Sequence, residues 1–108
     1  MYSKSSDDGY HTPIPGIELK TLVHGEKTLM AEFRLKKGGK LPLHSHPHEQ
    51  TGYLVSGRIT LHVEGRAHDC SPGDSWCIGG DVEHSADILE DSVAVEVFSP
   101  VREDYLPK

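Results

Sequence analysis

The sequence lacks several things that would each point elsewhere. No run of apolar residues approaches the roughly 20 needed to cross a bilayer, so no membrane partner is expected. Positive charge is short: 11 Lys and Arg stand against 17 Asp and Glu, a formal net charge of −6. That argues against a nucleic-acid groove, which needs clustered cations for phosphate contacts. Lys36, Lys37 and Lys40 read as a solvated turn. Two cysteines, Cys70 and Cys77, cannot make a disulfide framework. Cys77, between Trp76 and Ile78, reads as a buried structural thiol. Residues 1–16 have no apolar segment of the kind a secretory signal carries, and a cytoplasmic location is the expectation. Apolar residues are also scarce, at 35% with 6% aromatic. A closed barrel, or a dimer sharing a sheet, would help such a chain bury enough surface.

Helical periodicity is missing too. What is present is alternation, the signature of half-buried strands. Leu29, Ala31, Phe33 and Leu35 form one face against Met30, Glu32 and Arg34. Ile59, Leu61 and Val63 oppose Thr60, His62 and Glu64, and Val93, Val95 and Val97 oppose Ala94, Glu96 and Phe98. Ile17 and Leu19 begin another such run. Breakers separate these runs: Gly38-Gly39, Gly57, Gly65, Ser71-Pro72-Gly73 and Gly79-Gly80-Asp81. Many short strands with frequent turns predict an all-β sandwich or barrel. The length of 108 residues suits one domain. Residues 1–16 read as a loose arm, and 17–108 as the barrel domain with a C-terminal tail.

The histidines carry the chemistry. His44-Ser45-His46-Pro47-His48-Glu49-Gln50 places three of the chain's eight within five positions. Residues two apart on a strand share a face, so His44 and His46 can offer two imidazoles to one point. Pro47 marks an edge or bulge that re-aims the next residues. Gln50 falls where an oxygen ligand could come from, and a closed barrel can return His84 to the same interior point. The alternative is a surface histidine cluster, but a His-x-His pair between glycine turns favours a divalent metal. Three nitrogens and an oxygen suit Zn, Ni, Mn or Fe. A neutral ligand set leaves the ion's charge uncompensated, which favours Lewis-acid polarisation of a substrate oxygen over dioxygen chemistry.

These residues resemble the cupin motifs. Gly38, His44, His46, Gln50 and Gly57 have the spacing of the first motif, with Gln50 where that motif has Glu. Gly73 and His84 match the second, with Gly79 and Asp81 at its Pro and Gly and Ile88 at its Asn; the chain has no Asn. The resemblance covers about residues 17–100 and implies a double-stranded β-helix, or jelly-roll, cupin barrel.

Near the C-terminus, Glu96 lies on the face away from the valines. A carboxylate there is costly if that face is interior, unless it is paired or working. Arg102 is placed to fold over a barrel mouth and grip a carboxylate, or to pair with Glu103 or Asp104 at the surface. Together with His44–Gln50 and Gly73–Trp76, the run Val97–Tyr105 resembles the small pectin-degradation cupins. These open 4,5-unsaturated uronates to linear keto uronates. The resemblance implies His44, His46, Gln50 and His84 as metal ligands, Glu96 and Arg102 as catalytic groups, and Phe98 and Arg102 as substrate contacts. Glu96 stands where that group usually has Asp. The expectation is therefore a metal-dependent sugar-acid isomerase acting on a small anionic substrate, and a homodimer. The alternatives are a cupin dioxygenase and a non-catalytic metal or sugar-acid binding module.

Overall fold

A computed structural model of the chain describes residues 1–106. Ten strands run in order: β1 (His11–Ile14), β2 (Ile17–His24), β3 (Leu29–Leu35), β4 (Lys40–His44), β5 (Glu49–Ser56), β6 (Ile59–Val63), β7 (Arg66–Cys70), β8 (Ser75–Ile78), β9 (His84–Ile88) and β10 (Ser92–Ser99). A short 3₁₀ turn, Glu103–Tyr105, ends the described chain. The strands form two antiparallel sheets, ordered β1-β2-β3-β10-β5-β8 and β4-β9-β6-β7. This is the jelly-roll barrel expected from the motifs. Among the described residues no helix is long and apolar enough to cross a membrane.

The alternation seen in the sequence sets the inner faces. Along β3, Leu29, Ala31, Phe33 and Leu35 are buried; β10 buries Ala94, Glu96 and Phe98 and turns its valines outward. With Ile17, Leu19, Leu54, Ile59, Leu61 and Ile88 they fill the space between the sheets. Deleting the side chain of a fully buried residue such as Leu54 removes both transfer energy and packing, worth about 2–5 kcal/mol. The same period of two corrects the reading of the thiols. On β8 Trp76 and Ile78 point inward, so Cys77 is exposed, and Cys70 is the buried one. Part of the segment read as an arm, His11–Ile14, pairs with β2 and covers that sheet edge. Before it, Asp7 binds Arg34 at 3.0 Å, and Arg34 stacks on Tyr10.

Two connections bring the histidine segments together. The β4–β5 link carries His46, Pro47 and His48, and the β8–β9 link carries Gly79, Gly80 and Asp81. Gly80 rests on the backbone of Pro47, where an added Cβ would lie 2.5 Å from its carbonyl oxygen. The Asp81 N–H donates to the His46 carbonyl at 2.7 Å. Asp81 occupies the position of the second motif's glycine and has φ +64°. That left-handed conformation explains why the family pattern has Gly there; Asp tolerates it better than most residues. Asp81→Gly is expected to keep or raise the urea midpoint, whereas Asp81→Val should lose about 1–2 kcal/mol.

Candidate metal centre

His44 ends β4 directly opposite His84 at the start of β9, and their rings are 4.2 Å apart. His46 lies in the β4–β5 link, with its ring 5.1 Å from His84 and 5.7 Å from His44. The expected convergence is present, although His46 reaches it from a loop and not from the strand. One ligand atom from each of these three residues lies within 4.8 Å of the others, so together they could hold a metal ion.

The hydrogen bonds fix which nitrogen faces inward. His44 Nδ1 meets the Pro42 carbonyl at 2.7 Å, His46 Nδ1 the His48 carbonyl at 3.0 Å, and His84 Nδ1 the Val82 carbonyl at 2.8 Å. A carbonyl only accepts, so each Nδ1 carries the proton and donates. Each Nε2 keeps a free lone pair, as metal-binding imidazoles require. Burial depresses the pKa of His46 and His84, with Arg102 and neighbouring imidazoles pushing the same way. Both rings are thereby kept neutral, the state that binds metal.

Gln50 is buried on β5 beside this cluster. Its Nε2 donates to Glu96 Oε2, which turns its Oε1 toward His46 Nε2 at 2.8 Å. In this tautomer both facing atoms are acceptors. Two lone pairs at that distance repel unless a proton or a cation lies between them. The donor set therefore fits a divalent ion bound by imidazole nitrogen and amide oxygen.

Glu96 is the buried carboxylate, and its partners come from two other strands. Trp76 Nε1 donates to its Oε1 at 2.5 Å while Gln50 holds the other oxygen. Burial raises its pKa to about 7, against the lowering effect of the two hydrogen bonds and of Arg102. Glu49, a neighbour of Gln50 in sequence, is exposed on the outer face and orients no ligand imidazole. His62 pairs with Asp87 at the surface, 3.0 Å away, and Tyr53 faces outward, half exposed.

A cavity of about 70 Å³ adjoins the cluster, lined by His44, Gln50, His84, Glu96, Phe98 and Arg102 among others. Phe98 and His46 meet edge to face, with ring centres 5.9 Å apart. Arg102 lies over the rings of Phe98 and Tyr105, and it also binds Asp104 through Nε at 3.2 Å and Nη2 at 2.7 Å. Arg102 thus lines the cavity and is at the same time paired with Asp104 in the tail. The tail itself is tied to β2 by Thr21 Oγ1, which donates to the Tyr105 carbonyl at 2.5 Å.

The buried carboxyl has a measurable consequence. The folded chain holds the Glu96 proton up to about pH 7, while an ordinary carboxyl releases it near 4.5. Its contribution to stability is therefore full below pH 4.5 and is lost as pH rises through 7. His46 and His84 act in the opposite sense, losing stability as pH falls below the ordinary histidine value of 6.5, but they are common to wild type and variant. In chelator-treated protein, the stability of Glu96→Gln relative to wild type should rise by about 3 kcal/mol between roughly pH 4 and pH 8. Urea unfolding at each pH measures it; a constant difference contradicts the burial.

Comparison with known proteins agrees with this architecture. The cupin domain pattern matches residues 31–100. The chain is 29% identical over 93 residues to the pectin degradation protein KdgF of Dickeya dadantii (strain 3937), covering 84% of each chain. It is 29% identical over 91 residues to the H2HPP isomerase of Bacillus subtilis, covering 82% of this chain but 39% of that protein. Among solved structures, KdgF from Halomonas sp. superposes with a TM-score of 0.92 at 30% identity, over 98% of this chain and 100% of that one. The matched span and the near-complete superposition lead to one conclusion: the chain belongs to the cupin domain family, and within it resembles the pectin-degradation cupins.

Proposed function

We propose that this protein is a metal-dependent enzyme that opens 4,5-unsaturated uronates to linear keto uronates. The observation that carries the proposal is the meeting, around one cavity, of a neutral nitrogen-and-oxygen donor set, a buried carboxyl and an arginine. The similarity to two proteins named KdgF supports the substrate class, and the similarity to a protein named an isomerase supports the reaction type.

In this reading His44, His46 and His84 bind the ion through Nε2, and Gln50 through Oε1. The ion, when bound, supplies Lewis acidity that polarises a sugar oxygen. Arg102 grips the substrate carboxylate, exchanging part of its pairing with Asp104 for a bond to the ligand. Phe98 walls the cavity against water. Glu96 takes the proton of the hemiacetal hydroxyl; the bond from that carbon to the ring oxygen breaks, and its electron pair passes to the ring oxygen, leaving an enolate. A proton delivered by Glu96 to C4 then makes the ketone, so the product is an isomer of the substrate and nothing is oxidised. A carboxyl titrating near neutrality suits a group that must both take and give a proton.

The homodimer is also part of the proposal. Met30, Tyr53 and Val55 are exposed on the outer face of the six-stranded sheet and offer a surface for a second copy.

The test is loss of the ultraviolet absorbance of the conjugated double bond when metal-loaded protein meets the unsaturated monomer from a pectate-lyase digest. Acceleration that vanishes in His46→Ala supports the proposal, and no acceleration rejects this substrate. Arg102→Ala is expected to raise KM by about 10–100-fold, the scale of a charge-assisted hydrogen bond. Unchanged KM and kcat would remove Arg102 from the site.

A further inference from the structure

Three strands place an unusual row of residues side by side. Glu96 on β10 is directly opposite Gly52 on β5, and Gly52 is directly opposite Trp76 on β8. All three positions face the barrel interior, and the middle one has no side chain. A Cβ at Gly52 would overlap both the Glu96 carboxylate and the Trp76 indole. Over this bare strand the indole N–H reaches Glu96 Oε1 at 2.5 Å. The other carboxylate oxygen accepts from Gln50 Nε2, one row along the same strand.

We infer that Trp76 is a positioning residue for the metal centre: across the gap left by Gly52 it holds one oxygen of Glu96, and the other oxygen of Glu96 sets which end of the Gln50 amide faces the histidines. The inference rests on the metal reading above and extends it to Trp76, Glu96 and Gly52, outside the ligand set.

An amide has an oxygen and a nitrogen of nearly the same size, so shape alone does not orient it. Only the oxygen can ligate an ion. Glu96 as a carboxylate, its state above about pH 7, has acceptors at both ends, so it can take the indole N–H on one oxygen and the amide N–H on the other. Indole is a donor only. Both hydrogen bonds therefore run toward Glu96, one to each oxygen, and Gln50 Oε1 emerges beside His46 Nε2, 2.8 Å away. Gly52 leaves the gap across which Trp76 reaches Glu96.

This arrangement can be tested by replacing Glu96 with a residue that has one acceptor end and one donor end. In Glu96→Gln, Trp76 demands the new oxygen, which leaves an NH₂ group facing the NH₂ of Gln50. Gln50 must then flip and turn its nitrogen to the ion, or Trp76 must lose its partner. In the double variant Trp76→Phe/Glu96→Gln that demand is gone, and the new amide can turn its oxygen to Gln50. The readout is Co(II) binding to the full-length protein, measured by visible absorption, with thermal melting of each metal-free variant as the control for folding. Glu96→Gln is expected to lower Co(II) affinity by about 10–100-fold, as for removal of groups that orient ligands. Adding Trp76→Phe should restore at least about threefold of that, while Trp76→Phe alone in the Glu96 background weakens binding or leaves it unchanged. A merely structural tryptophan would weaken binding in both backgrounds, and that result, or no loss in Glu96→Gln, overturns the inference. If the wild-type protein binds no Co(II), the metal reading fails and this inference fails with it. If wild type binds and only the restoration is missing, the metal reading stands and the role of Trp76 is rejected.

Discussion

The structure depends on where three imidazole protons lie. Each of His44, His46 and His84 gives its Nδ1 proton to a backbone carbonyl two residues earlier or later in the chain. The backbone, not another side chain, therefore sets ring orientation. The Nε2 lone pairs are left free for one shared site, and that of His46 faces the oxygen of Gln50. Such an assembly of acceptors is unfavourable by itself and becomes favourable around a cation. The same constraint shapes the rest of the mouth. The β8–β9 link must press on the β4–β5 link to bring His84 to His46, hence Gly80 against Pro47 and the left-handed Asp81.

The barrel supplies a rigid support for that arrangement. Strand β10 lies between β3 and β5, and its inward positions run Ala94, Glu96, Phe98, from core to mouth. Apolar packing at one end thus passes into a charged group and then an aromatic wall without a change of strand. Placing Glu96 in that row carries a desolvation cost that two N–H donors offset only in part, and its raised pKa is the sign of this. A buried carboxyl poised near neutrality is a poor structural choice and a useful chemical one.

Much of this is legible in the sequence, for definable reasons. Alternation in Leu29–Leu35, Ile59–Val63 and Ser92–Ser99 reports the inner faces because a strand has a period of two. The histidines are legible because their spacing is unusual, and Glu96 because a carboxylate interrupts an inward row. Cross-strand register is not legible. Nothing local says that Trp76, Gly52 and Glu96 share a row, so the partner of Glu96 and the reason for Gly52 emerge only from strand pairing. The apolar neighbourhood of Cys77 misleads because the strand period, which turns it outward, outweighs its neighbours' character. Glu49 is next to Gln50 in sequence, yet one residue's displacement along β5 puts it on the opposite face.

The measurement that bears most directly on the central claim is a crystal structure of the zinc-loaded protein, with the ion located by its anomalous scattering. The account predicts one strong peak at the barrel mouth, about 2.0–2.2 Å from Nε2 of His44, His46 and His84 and from Oε1 of Gln50. Coordination through Nδ1, ligation by Glu96 in place of Gln50, or a peak only at surface groups such as His62 and Asp87 would contradict it.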